Sequence, residues 1–134
     1  MQISWRTLFA IAAFGVTCRP HPGVIAPLDR DFELGVGAQG QVVDSPVRVK
    51  FLQVIEDSRC PTDVVCVWQG NGKARVTVDS AGATLAAELN TSLQPRTMAA
   101  FGYVLELREL RPARNSKTSI APADYIAVFR VTRS

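Results

Sequence analysis

Cys60 and Cys66 enclose five residues in the stretch Asp57-Ser-Arg-Cys60-Pro61-Thr-Asp-Val-Val-Cys66-Val-Trp68-Gln-Gly70, which holds two of the chain's three cysteines. The spacing is too wide for a CxxC redox motif or zinc knuckle, and no histidine lies nearby to complete a metal site. A disulfide is the expected state. Closing so small a loop would remove roughly 2 kcal/mol of unfolded-state entropy, with Pro61 fixing one backbone angle beside the first sulfur. Trp68, two residues past Cys66 on the same strand face, is expected to pack in the core over the bridge. Asp57, Arg59, Asp63 and Trp68 form the candidate recognition loop, since rigid loops are where scaffolds place recognition.

The N-terminus carries one basic residue, Arg6, and then the apolar run Leu8 to Val16. That is the length of a signal-peptide core and too short to span a bilayer. Residues 1–17 are therefore expected to be a signal peptide. Cys18 sits where a bacterial lipoprotein leader would be cut, although Gly15-Val16-Thr17 is a poor lipobox, and it is the candidate lipidation site. With Cys18 acylated, three cysteines resolve into one anchor and one disulfide. Ordinary cleavage would instead remove Cys18 or leave it free. Either route exports the domain to a compartment where a disulfide persists, the periplasm or cell envelope.

Removing the leader leaves 117 residues, enough for one domain and too few for two. Residues 18–30, with Pro20, Pro22 and Pro27 and the only histidine, His21, read as an extended tether. From Asp31 to Ser134 the pattern is short β-runs broken by glycine, proline and asparagine, without a helical period. Phe32, Leu34 and Val36 alternate with polar or small residues, as do Val47, Val49 and Phe51. The apolar phase slips at Phe51-Leu52, which implies a bulge or a strand covered on both faces. Cys66 to Gln69 is expected to re-enter the sheet before a tight turn at Gly70-Asn71-Gly72. Further strands follow at Ala74 to Val78, Leu85 to Leu89 with its alternate residues inward, and Tyr103 to Leu107. Residues 90–100 have the length of a connection between sheets. One helical turn is expected at residues 121–124, and Tyr125 to Val131, apolar on both faces, reads as a central strand. About seven short strands predict a single-domain all-β sandwich, with a small β-barrel as the alternative.

The composition excludes more chemistry than it supports. Without a histidine in the domain, Ser–His and Cys–His nucleophilic mechanisms have no base, and zinc lacks its usual ligands. Glu56, Asp57 and Asp63 could supply oxygens to calcium, but no Asp-x-Asp-x-Asp-Gly loop is present. The acidic residues fall mostly in turns or at outward positions. No phosphate-cradling glycine loop precedes a helix. Neither an enzyme, a metal nor a cofactor is expected. Arg108, Arg111, Arg114 and Lys117 could meet an acidic partner or serve as a solubilising rim. They lack the interleaved aromatics of a nucleic-acid surface, so no nucleic-acid partner is expected.

Val54-x-Glu56-Asp57-Ser58-Arg59-Cys60-Pro61, Val64-x-Cys66-Val67-Trp68-x-Gly70, Gly102-Tyr103 and Pro122-x-Asp124-Tyr125 together carry a resemblance over most of the mature domain. The chain resembles a group of small, exported, uncharacterised bacterial proteins of lipoprotein type, built round an RCPxxVxCxWxG stretch. The resemblance implies membership and export but no shared activity. The expectation is a monomeric, non-enzymatic binding or structural module of the bacterial envelope, attached to the membrane if Cys18 is lipidated, with an envelope component or protein as partner. The alternative is a protease inhibitor presenting the loop at 57–66, with Arg59 entering a trypsin-like pocket.

Overall fold

The structure, a computed structural model, describes residues 23–134 and, of the segment before them, Gly15 alone. The expected leader cleavage and the candidate lipidation site Cys18 lie outside the described residues.

Period-two alternation makes half of each strand apolar, and the two apolar faces meet. In chain order the strands are β1 Val24–Ala26, β2 Asp31–Gly35, β3 Gln39–Val42, β4 Arg48–Asp57, β5 Gly72–Ser80, β6 Ala83–Asn90, β7 Thr97–Ala100, β8 Tyr103–Arg111 and β9 Ile126–Arg133. They form one five-stranded sheet, β1-β3-β4-β5-β6, and one four-stranded sheet, β2-β9-β8-β7. The sheets stack without closing into a barrel, so the fold is a β-sandwich. Its core joins Phe51 from the larger sheet to Phe129 from the smaller, with ring centroids 6.2 Å apart and edge-on. Phe32 stands on the other side of Phe129 at 6.0 Å. All three rings are buried.

Several expectations match residue by residue. β9 lies between β2 and β8 and buries Ala127, Val128 and Phe129 in succession, as a strand covered on both faces must. The slip at Phe51-Leu52 is a bulge, with the pairing to β5 shifting between Phe51 and Gln53 and again between Val54 and Glu56. Pro122–Asp124 forms a single 3-10 turn. The chain crosses from one sheet to the other between β6 and β7, but the connection expected at residues 90–100 is shorter, since Asn90 ends β6 and Thr97–Ala100 forms β7.

Three expectations need correction. The tether assigned to residues 18–30 is too long, because Val24–Ala26 adds a parallel edge strand to β3 and Ala26 is fully buried. Its three-residue length hides the alternation that reveals longer strands. Leu85 on β6 is exposed although its alternate Leu89 is buried. β6 is the edge of a five-stranded sheet facing one of four strands, and its outer half is left uncovered. Cys66 to Gln69 forms no strand, since β5 begins only at Gly72.

Candidate functional site: the stapled loop

Residues 58–71 leave the sheet between β4 and β5 as one long loop, and the local chemistry holds them rigid. At the base the Ser58 amide donates to the Asn71 carbonyl at 2.8 Å and the Cys60 amide to that of Gln69 at 3.0 Å. Beyond these bonds Cys60 and Cys66 are joined by a disulfide.

Arg59 and Asp57 lock the root of the loop. The Arg59 guanidinium donates Nε to Asp57 Oδ1 at 2.7 Å and Nη2 to Oδ2 at 2.8 Å, a fork-to-fork pair. It also donates to the carbonyls of Leu110 at 2.6 Å and Pro112 at 3.0 Å. The hydroxyl of Tyr125 donates to Asp57 Oδ2 at 2.8 Å. Asp57 and Arg59 are only 9% and 15% exposed at their side chains. Burial works against the Asp57 carboxylate, but the Arg59 and Tyr125 hydrogen bonds and the Arg59 charge outweigh it, so its pKa lies below the ordinary value. Burial and then the bond to Asp57 raise that of Tyr125.

A second strap runs to the segment after β8. Arg114 donates to the Arg59 carbonyl at 2.6 Å, and the Thr62 amide donates to the Arg114 carbonyl at 2.9 Å. Asp63 accepts from the Ser116 amide at 2.9 Å and from the Ser116 hydroxyl. These Ser116 bonds hold the exposed Asp63 carboxyl below its ordinary pKa.

Behind the loop two buried asparagines satisfy one another. Asn71 Nδ2 donates to Asn90 Oδ1 at 2.8 Å, and Asn90 Nδ2 donates to the Pro95 carbonyl at 3.0 Å. Asn71 Oδ1 accepts the amides of Ser92 and Leu93. Gly70 makes this closure possible. Its φ is +71°, and a Cβ there would stand 1.9 Å from the Ser58 carbonyl oxygen.

The sequence-predicted residues thus divide. Asp57 and Arg59 come together, but as internal fasteners and not as a recognition surface. The guanidinium that the inhibitor reading sends into a trypsin-like pocket is bound inside the protein. Asp63 fastens the loop from outside. Trp68 corrects the expectation most sharply, being 81% exposed and not in the core. Because Gly70 turns the chain before β5 starts, residues 64–68 stand beyond the sheet, and neither sheet can cover them. Val65 and Val67, 102% and 91% exposed, precede Trp68 in the loop, and Val64 is exposed as well. Trp68 also borders a shallow groove of about 350 Å³ with Glu56, Ser58, Ser92 and the exposed Leu93.

The basic cluster at the end of β8 is largely spent. Arg108 pairs with Asp31 and Glu106, and Arg111 with Glu33 and Glu109. Arg114 is part of the loop strap. This is the geometry of a solubilising rim. Sequence reasoning missed Tyr125, Asn71 and Asn90 as members of the loop's support; a tyrosine just before a strand, an asparagine between two glycines and another at a strand's end are the local signals they leave. No group of three His, Cys, Asp or Glu among the described residues is placed to hold a metal ion.

Fold and loop together define a β-sandwich that presents one covalently stapled, apolar-tipped loop. The chain matches no protein-family model, no curated protein and no solved structure.

Proposed function

We propose that the protein is an exported, non-enzymatic binding module of the bacterial envelope, and that the stapled loop is its contact element. One observation carries the reading: Val65, Val67 and Trp68 stand largely in solvent on a loop closed by a disulfide and tied at its root and to the segment after β8. Single exposed apolar residues are ordinary, whereas three within four residues of one fastened loop are what interaction sites look like. The fastening means that little conformational entropy is lost when the loop binds. A disulfide accords with an oxidising compartment, as do the apolar leader and the resemblance to exported proteins. Acylation at Cys18 would keep the module on a membrane, and Cys18→Ala would then release it to the soluble fraction.

Affinity capture from envelope extracts tests the contact. Wild type should retain a partner that Trp68→Ala and Val65→Ser lose. An identical set of captured proteins from all three would remove the loop from the reading. The inhibitor reading keeps one point in its favour, the rigid convex loop. Its contact would then be Val64 to Trp68, since Arg59 is tied down. Unchanged rates across a panel of serine and cysteine proteases would end it.

A further inference from the structure

We propose that the cleft at the root of the stapled loop is a second binding site, which receives an oxyanion of a ligand, a carboxylate or a phosphate, on Arg96. The cleft has a volume of about 480 Å³ and lies between the loop, through Gln69 and Gly70, and the bulged part of β8. Three arginines line it, Arg59, Arg96 and Arg108, against a single acidic residue, Glu109.

Their partners separate the three arginines. Arg59 is neutralised by Asp57, and Arg108 by Asp31 and Glu106. Glu109 pairs with Arg111 at 3.3 Å. Arg96 makes no ion pair with any described residue. Its Nε is enclosed, and among the described residues it is the one enclosed side-chain nitrogen or oxygen without a hydrogen-bond partner. Its backbone is pinned, because its carbonyl accepts the Leu107 amide at 2.9 Å. Arg96 is half-buried, carries a charge without an ion-pair partner among the described residues and encloses an unpaired Nε, which makes it a poor structural element, since enclosed donors cost stability when unpaired. The enclosed Nε is closed to a ligand, so a planar or tetrahedral oxyanion would be received end-on, accepting from the two terminal Nη groups at once.

The site is independent of the apolar tip, so either can fail alone. Titration of the mature protein with sodium acetate and with sodium phosphate, followed by amide NMR at constant ionic strength against sodium chloride, tests it. Saturable shifts at Gln69, Gly70, Arg96 and Arg108 are expected with at least one anion. Acetate response identifies a carboxylate ligand and phosphate response a phosphate. Arg96→Gln should weaken binding about tenfold or more, the effect of losing a charged hydrogen-bonding pair. Arg96→Lys should fall between, and Arg133→Gln should bind as wild type. Failure of both anions to saturate in the wild-type protein overturns the proposal whether or not the variants fold. Binding by a folded Arg96→Gln variant as tight as wild type overturns it equally.

Discussion

The hydroxyl of Tyr125 reaches Asp57 across 68 residues of sequence and 2.8 Å of space, tying the first residue before β9 to the last residue of β4. The bond couples the smaller sheet to the root of the stapled loop. Tyr125→Phe should lower stability by roughly 1–2 kcal/mol, the cost of a hydrogen bond to a charged group in a partly buried site. Urea unfolding measures it. The same variant should move the Asp57 pKa upward, toward its ordinary value, in a carboxyl NMR titration.

Asp57 also predicts a pH dependence. Its folded pKa lies below the ordinary 3.8, so the folded state binds this proton less tightly than the unfolded chain does. The stabilisation is complete above that ordinary value and is lost as the pH falls through the lower folded one. Asp57→Asn should flatten the acid limb of a stability profile below about pH 4. At neutral pH it should cost roughly 2–3 kcal/mol, because Arg59 loses its charged acceptor. An unaltered acid limb would show that Asp57 does not contribute there.

Cys60→Ser should cost of the order of 2–5 kcal/mol, the range for native disulfides in small secreted domains. Trp68→Ala should behave in the opposite way. With its ring in water, its removal should change stability by no more than about 0.5 kcal/mol while removing captured partners. Thermal melts of the two variants side by side distinguish a residue that holds the loop from one that the loop displays. A large loss of stability in Trp68→Ala would contradict its exposed position.

Gly70→Ala should destabilise by about 2–3 kcal/mol, since the new methyl group meets the Ser58 carbonyl and the backbone there is left-handed. Gly82→Ala is the control. Its φ is also positive, at +85°, but nothing lies within 4 Å of a Cβ. The difference between the two variants isolates the close approach from the backbone strain.

The amino-acid sequence by itself determined most of the longer strands, the bulge at Phe51-Leu52, the central position of β9 and the disulfide. Each of these rests on a local property: alternation along a few residues, a slip of its phase, or two cysteines too far apart for a redox motif and close enough to join. The same locality explains what it missed. Trp68 two residues past Cys66 looks like a core residue if the strand has already begun, and only the turn at Gly70 and the late start of β5 leave it in solvent. Asp57 and Arg59 look like surface charges in a loop until Leu110, Pro112 and Tyr125 arrive from the other sheet to bind them. Val24–Ala26 looks like tether until β3 offers it an edge. Whether a charge, a ring or a short segment is buried depends on what packs across from it, and in a sandwich that partner comes from the opposing sheet or a distant strand. Tertiary closure alone therefore decided that the motif's charged half fastens the loop and its apolar half faces outward.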